Sequence, residues 1–342
     1  PLLVVGGGFD FDKDSGTGTD DSEGNAIYVI DAETGALVWN AEDGSGGGAT
    51  VDRHPDMDDS IPSDVALFDS DGDGYADRGY VGDTGGRVWR VDLKGSSTAD
   101  WAVHLIADVG RHTSSGSAAA IDRRFFHRPD VVQTRDSIGA FDAVVIGAGN
   151  RPDPLDKDYQ AENWVYMIKD RYTTAGVGSD TGFEHDDFGD VTDNCLQNGT
   201  CGASAPDLTN GWRLELEASG EKSLASPLTI GGIVFFTTFL PPGSIGASSC
   251  APAEGNGNLY AVNLQDATAV FNYNSADDDP GQGDEPNSAS DRSTLLASEG
   301  IPAEVVPIPS EGSILTPQLS VVEVPSSTRW RTYWYQLEDN GG

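Results

Sequence analysis

Residues 79–92 read Gly79-Tyr80-Val81-Gly82-Asp83-Thr84-Gly85-Gly86-Arg87-Val88-Trp89-Arg90-Val91-Asp92. An apolar run stops on glycine, a polar glycine-containing turn follows, and a second run carries an aromatic at its centre and stops on aspartate. Two short apolar runs around a turn of this kind predict an antiparallel strand pair. The pattern recurs along the chain. Leu2–Gly8 precedes Ala26-Ile27-Tyr28-Val29-Ile30-Asp31, Ala143–Gly147 precedes Trp164–Lys169, and Ile233–Thr238 precedes Asn258–Asn263, at spacings of about 60 to 95 residues. One such meander cannot bury both of its faces, whereas copies stacked about an axis can, which predicts an all-β chain built as a β-propeller.

Further expectations follow from the repeat. Tyr28, Trp89, Tyr166 and Tyr260 pack between blades, since repeated aromatic positions serve packing. Asp31 and the following Ala32-Glu33-Thr34-Gly35 form a tight turn into an outermost strand at Ala36-Leu37-Val38-Trp39. The polar, non-periodic stretches 171–210 and 272–300 are long excursions from blades rather than interdomain linkers. Four or five units fit in the 342 residues. The chain also opens in mid-strand at Pro1-Leu2-Leu3-Val4-Val5. Residues 1–342 are therefore expected to be a single propeller domain that continues upstream of residue 1.

Between two of these strands lies Asp69-Ser70-Asp71-Gly72-Asp73-Gly74-Tyr75-Ala76-Asp77. Carboxylates at loop positions 1, 3, 5 and 9 match an oxygen cage for Ca²⁺, with the Tyr75 carbonyl at position 7 and Gly74 allowing the sharp turn. An EF-hand would place a bidentate Glu at position 12, where this chain has Tyr80, and strand rather than helix follows. The expectation is a calcium-binding hairpin turn between Val65–Phe68 and Arg78–Val81, with Asp69, Asp71, Asp73, Asp77 and the Tyr75 carbonyl as ligands. The competing reading is an empty acidic turn, in which four carboxylates would repel one another.

Lys and Arg number 20 against 56 Asp and Glu, a net charge of −36. That excludes a nucleic-acid or anionic-membrane binder held by simple electrostatics. The excess reads as solvated surface with local cation sites. Of the three cysteines, Cys195 and Cys201 can close a small surface loop. Cys250 is then left over, or pairs with Cys201 or with a part of the protein outside this sequence. No Cys/His cluster has zinc spacing, and neither a signal peptide nor a transmembrane run is visible.

Several segments, taken in order, resemble the C-terminal β-propeller of the PilY/PilC family of type IV pilus tip-associated adhesins and biogenesis factors. They are Ser60–Val65 with the Asp69–Asp77 loop, Gly82–Leu93, Arg124-Phe125-Phe126, Ile146–Arg151, Glu221–Pro227, Gly231–Thr238 and Arg331–Tyr335. The resemblance implies Ca²⁺ at the Asp69–Asp77 loop and a role in pilus assembly, extension against retraction, and adhesion. It also implies minor or major pilins as partners beside an upstream N-terminal domain of the same protein, contact with host or abiotic surfaces, and neither nucleic-acid binding nor membrane insertion. The implied location is the pilus tip or outer membrane of a Gram-negative bacterium, reached through the periplasm. The alternative is a calcium-stabilised adhesive propeller on another filament or envelope protein. Some relatives carry an Arg-Gly-Asp tripeptide that is absent here, since Arg78-Gly79 runs on into Tyr80, so integrin recognition is not carried over.

Other clusters carry less. Asp10, Asp12 and Asp14 have alternate spacing, but Lys13 stands among them. A solvated hairpin loop is the leading reading there, with a second calcium as the competitor. Asp277–Glu285 lacks ligand spacing and reads as hydrated surface. Asp56, Asp58 and Asp59 near His54 read as an exposed turn marked by Pro55 and Met57. Asn198-Gly199-Thr200 matches a glycosylation sequon, a motif short enough to arise by chance. Quinoprotein dehydrogenases also use propellers and Ca²⁺, held there by residues scattered over several blades. The contiguous loop and the five scattered histidines of this chain predict a binding protein and not an enzyme.

Overall fold

The chain was analysed as a computed structural model that describes residues 1–15, 20–95, 97–110, 121–155, 161–173, 181–242, 254–274, 288–308, 313–317 and 321–323. Each pair of sequence runs forms antiparallel neighbours, and a further strand joins them. The first blade holds β1 (Leu2–Gly6), β2 (Ala26–Asp31), β3 (Leu37–Asp43) and β4 (Val51–His54) in that order. The second is the meander β5 (Ala66–Phe68), β6 (Arg78–Gly82), β7 (Arg87–Asp92) and β8 (Ala102–Asp108). The third begins with β9 (Asp130–Arg135), β10 (Ala140–Gly147) and β11 (Trp164–Asp170). Two short strands follow, β12 (Phe183–Glu184) and β13 (Gly189–Asp190), before β14 (Gly211–Glu215) pairs with β11 to complete that blade. The fourth sets β15 (Lys222–Ser223) and β16 (Leu228–Ile230) along β17 (Ile233–Leu240), then adds β18 (Asn256–Asn263) and β19 (Ser293–Glu299). A last antiparallel piece comprises β20 (Val306–Ile308), β21 (Ser313–Leu315) and β22 (Val321–Glu323). The strands β5, β9 and β16 approach one another, as innermost strands around a propeller axis do.

The core is a series of layers between blades. Ile27, Val29 and Trp39 of the first blade meet Val81, Trp89 and Leu105 of the second. Tyr80, Val88 and Ile106 meet Val144, Ile146 and Tyr166 of the third, whose Ala143, Val145 and Trp212 meet Val234, Phe236 and Val262 of the fourth. Strand β10 thus sends alternate residues into two layers. This is why Ala143–Ile146 is apolar without interruption: both of its faces are covered. Each fully buried aromatic or aliphatic side chain in such a layer contributes about 1.5–3 kcal/mol.

The glycines that end the first runs of the second and third blades, Gly82 and Gly147, have a steric cause. The segment leading into the next blade crosses over each, with the Phe125 N–H donating to the Asp83 carbonyl (2.9 Å) and the Ser223 N–H to the Ala148 carbonyl (3.0 Å). A Cβ on Gly82 would lie 2.6 Å from Phe125 Cβ and from Ile146 Cδ1, and one on Gly147 would collide with Ser223.

Four expectations need correction. Ala36–Trp39 does not lead the outermost strand, because β4 lies beyond β3 and pairs with it in parallel. Strands β12 and β13 likewise add in parallel to β8 and β14, so the 171–210 excursion supplies strands to two blades. The stretch 272–300 contains β19, whose Leu296 is buried while Leu295 is exposed. Met57 is fully buried in the layer between the first two blades rather than marking an exposed turn. Of the four repeated aromatics, Trp89, Tyr166 and Tyr260 pack in interblade layers, and Tyr28 is only half-buried.

Candidate metal centre

The Asp69–Asp77 loop is the connection between β5 and β6, whose last ladder pair is Phe68–Arg78. The Asp77 N–H donates to the Phe68 carbonyl (3.2 Å), and the Asp77 carbonyl accepts from the Leu93 N–H (2.8 Å), so both loop ends are fixed by sheet. Gly72 and Gly74 turn the chain at φ +83° and +95°, a region glycine enters without Cβ strain. These turns wrap the backbone around Asp69. Its Oδ1 accepts from the N–H groups of Gly72 (2.6 Å) and Asp73 (3.2 Å), and its Oδ2 from Gly74 (2.8 Å). Desolvation, the largest single influence, raises the Asp69 pKa, but the backbone donors together outweigh it and hold the carboxyl below its ordinary value.

Three carboxylates converge: one oxygen each from Asp69, Asp71 and Asp73 lies within 4.8 Å of the others. Asp71 and Asp73 are exposed. Asp77 is placed differently, its Oδ1 accepting from the Ser70 N–H (2.8 Å) and its Oδ2 from the Ser70 hydroxyl (2.7 Å). Tyr75 turns its ring outward, 76% exposed, and its N–H caps Asp73 (2.9 Å). All the donors brought together are carboxylate oxygens, the hard ligand chemistry that suits Ca²⁺. Asp69, Asp71 and Asp73 would hold the ion directly, with Asp77 ordering the loop through Ser70.

Two partners were not legible in the spacing. Lys94, beyond β7, reaches Asp71 Oδ2 (2.9 Å), and that hydrogen bond raises the Lys94 pKa. Gln133 of β9 donates to the Ser70 carbonyl (3.1 Å), tying the loop to the third blade. Arg78, the residue after Asp77, enters a buried seam between the second and third blades. It pairs with Asp142, and its Nη2 donates to the Thr173 carbonyl (2.6 Å). Alongside, Arg90 pairs with Asp170 (2.9 Å), and the Tyr80 hydroxyl lies 2.9 Å from Asp142 and 2.7 Å from Asp170. Burial holds the Tyr80 phenol well above its ordinary pKa, so it remains a donor.

The other acidic clusters are satisfied from within the protein. Asp10 is buried and accepts from the N–H groups of Asp12 (2.9 Å), Ser22 (2.8 Å) and Glu23 (3.1 Å), which keep its pKa low, while Asp12 and Asp14 are exposed. Lys13 turns inward to Asp21 (3.1 Å) and Asp59, and Arg87 pairs with Asp58 and Asp108. Asp10 and Lys13 are thus buried rather than part of a solvated hairpin loop, Asp10 held by backbone donors and Lys13 committed to Asp21 and Asp59. Among the described residues, Asp69, Asp71 and Asp73 are the one group of three with metal-ligand proximity. His54 and His185 pack edge-on against Trp89 and Trp164, and burial lowers the His185 pKa to about 3. Cys195 and Cys201 form a disulfide. Cys250, His112, the Asp277–Glu285 run and Arg331–Tyr335 lie outside the described residues. No helix among the described residues is long and apolar enough to cross a membrane.

No protein-family model matches the chain. In sequence it is 23% identical over 268 residues to the type IV pilus biogenesis factor PilY1 homolog of Xylella fastidiosa, an alignment taking in 75% of this chain and 18% of that protein. In structure it superposes on the crystal structure of the Pseudomonas aeruginosa PilY1 C-terminal domain with a TM-score of 0.61 and 17% identity, covering 95% of this chain and 69% of that one. A quinohemoprotein alcohol dehydrogenase from Comamonas testosteroni aligns over 92% of this chain and 52% of its own at a TM-score of 0.32 and 11% identity, too loosely to bear on chemistry. In fold, and more distantly in sequence, the chain is thus similar to the C-terminal β-propeller of the PilY/PilC family.

Proposed function

We propose that this chain is the calcium-binding propeller of a type IV pilus-associated protein, acting by binding and regulation and not by catalysis. The observation that carries the proposal is the convergence of Asp69, Asp71 and Asp73 within 4.8 Å at a hairpin tip fixed by sheet on both sides. The pilus setting rests on the similarity to a type IV pilus biogenesis factor. Ca²⁺ offsets two of the three carboxylate charges, and because the cage exists only when the hairpin is folded, the ion stabilises the folded loop. Arg78 begins β6 directly after the loop and pairs with Asp142 of β10, so the loop's conformation bears on the seam with the third blade. A loop with an ion-bound and an ion-free state then biases pilus assembly toward extension over retraction. The partners in this reading are minor or major pilins, at the pilus tip or outer membrane, with adhesion to surfaces as a second outcome.

Calorimetry on chelator-treated protein tests the ion: the wild type takes up Ca²⁺ and Asp69→Ala/Asp73→Ala does not. Equal uptake by both would remove the site. The regulatory part is tested in cells, where the same substitutions alter piliation or twitching. Wild-type pili and motility at every calcium level would reduce the ion to a structural one.

A further inference from the structure

Where the first blade meets the second, one amine and two carboxyl groups are enclosed together. Lys13 stands in the turn Phe11–Ser15 after β1 and is 1% exposed, and Asp59, in the connection from β4 to β5, is fully buried. The two are 46 positions apart in sequence, yet Lys13 Nζ contacts Asp59 Oδ1. The same Nζ lies 3.1 Å from Asp21 Oδ1.

The surrounding bonds hold these groups in place. The Asp21 N–H donates to the Asp58 carbonyl (2.8 Å), and Asp21 Oδ2 accepts from the Ser60 N–H and the Thr84 hydroxyl (2.8 Å each). Asp21 is thus anchored by one oxygen while the other meets the amine. The second oxygen of Asp59, Oδ2, has Arg87 Nη1 at 3.6 Å and packs on Gly85, where an added Cβ would stand 1.9 Å from it. These are the parts of an amide condensation: an amine held on a carboxyl group, a second carboxylate on that amine, and a guanidinium near the oxygen that stays. Burial acts in the same direction. Both charges of a Lys–Asp pair are costly in a dry interior, whereas the amide is neutral.

We propose that Lys13 and Asp59 join in an intramolecular isopeptide bond, formed by the folded chain itself. One ammonium proton passes to Asp59 Oδ1, leaving an amine and a carboxylic acid. Lys13 Nζ attacks Asp59 Cγ, Arg87 faces the negative charge gathering on Oδ2, and Asp21 Oδ1 takes a second proton from the nitrogen. Asp21 returns that proton to Oδ1 of Asp59, and the Cγ–Oδ1 bond breaks to release one water. The nitrogen keeps one hydrogen, Oδ2 becomes the amide oxygen, and Asp21 ends as the carboxylate it began as. The product ties the loop after β1 to the connection between the first and second blades by a covalent bond in place of an ion pair. It removes the Asp59 charge, while burial, the larger cause, still holds the Asp83 pKa up.

The test is the intact mass of the whole chain, denatured and with its disulfide reduced. The wild type weighs one water less than its sequence, and protease digestion yields one branched peptide carrying both Lys13 and Asp59. Lys13→Arg and Asp59→Ala have their full sequence masses. Asp21→Asn, folded as judged by circular dichroism, retains the water in most molecules. A wild type at full sequence mass overturns the proposal, whatever the variants do. A water loss that survives Lys13→Arg also overturns it, and would belong to a succinimide at an Asp-Gly pair such as Asp71-Gly72. Asp21→Asn linked as completely as the wild type overturns the proton transfer assigned to Asp21.

Discussion

Replacing Arg90 by Met tests the buried seam beneath the Asp69–Asp77 loop. Met keeps much of the aliphatic stem and removes the guanidinium, which is 1% exposed and holds Asp170 (2.9 Å), Asp92 (2.8 Å) and the Tyr172 carbonyl (2.6 Å). What remains is two buried carboxylates, Asp142 and Asp170, joined through the Tyr80 hydroxyl, with Arg78 still paired to Asp142 and Asp170 left without its cation. Removing one partner of a buried pair costs about 3–5 kcal/mol, because the other charge is left in a poor dielectric. For a chain of this size each kcal/mol moves the unfolding midpoint by roughly 2 °C, so a fall of about 6–10 °C is expected in a thermal melt. Arg90→Met/Asp170→Asn removes the stranded charge together with the cation and recovers at least about half of the loss. The deficit also depends on pH. Burial raises the Asp142 pKa against the opposing charge of Arg78, and losing the neighbouring Arg90 cation raises it further. A carboxyl raised in the folded state contributes stability below its unfolded pKa and loses it as pH rises through the folded one. The variant is therefore closest to wild type near pH 5 and furthest at pH 8. A loss under about 1 kcal/mol, or a double variant no better than the single one, would refute the description of the seam as a paired, buried charge network.

Three further outcomes are expected. Lys94→Gln frees Asp71 and removes a positive charge beside the cage, so calcium titration should show several-fold tighter binding at low salt and little difference at high salt; equal affinity at low salt would exclude competition by Lys94. Gly82→Val places atoms where Phe125 and Ile146 already sit and costs about 1–3 kcal/mol or more in denaturant unfolding, while Gly139→Val, at a half-buried turn with open space around its Cβ, costs less. Burial and the neighbouring Asp59 raise Asp83 to about 7, so stability contributed by its protonated form is lost as pH rises through 7. Denaturant midpoints measured from pH 6 to 8 should decline, and a flat or rising profile would contradict this.

The repeat was legible because its two runs carry strong local marks, the terminal glycine and the central aromatic. Strands β8, β14 and β19 do not end on glycine, and in β19 the run Ser293–Glu299 sends Leu296 into a layer while Leu295 is exposed. The parallel additions β4, β12 and β13 are shorter still and are set by tertiary pairing, which no local periodicity records. In the Asp69–Asp77 loop, spacing identified the carboxylates but not their partners, among them the Ser70 N–H and hydroxyl that donate to Asp77. Arg78 and Arg90 alternate with apolar residues as though facing water. Only the arrival of the third blade buries them, and that contact lies more than sixty residues away in sequence.

The short strands β12 and β13 have a consequence for how the molecule comes apart. One continuous segment, 183–190, is stitched to β8 of the second blade at one end and to β14 of the third at the other. Neither blade can swing away without releasing a ladder of its neighbour, and Arg213 of β14 adds a clasp to the His185 carbonyl and Asp186 between the stitches. The two sheets therefore exchange their amide hydrogens as one cooperative unit, although their cores are separate stretches of sequence. The Asp69–Asp77 loop sits on that joined pair, held by β5 and β6 of the second blade and by Gln133 of the third.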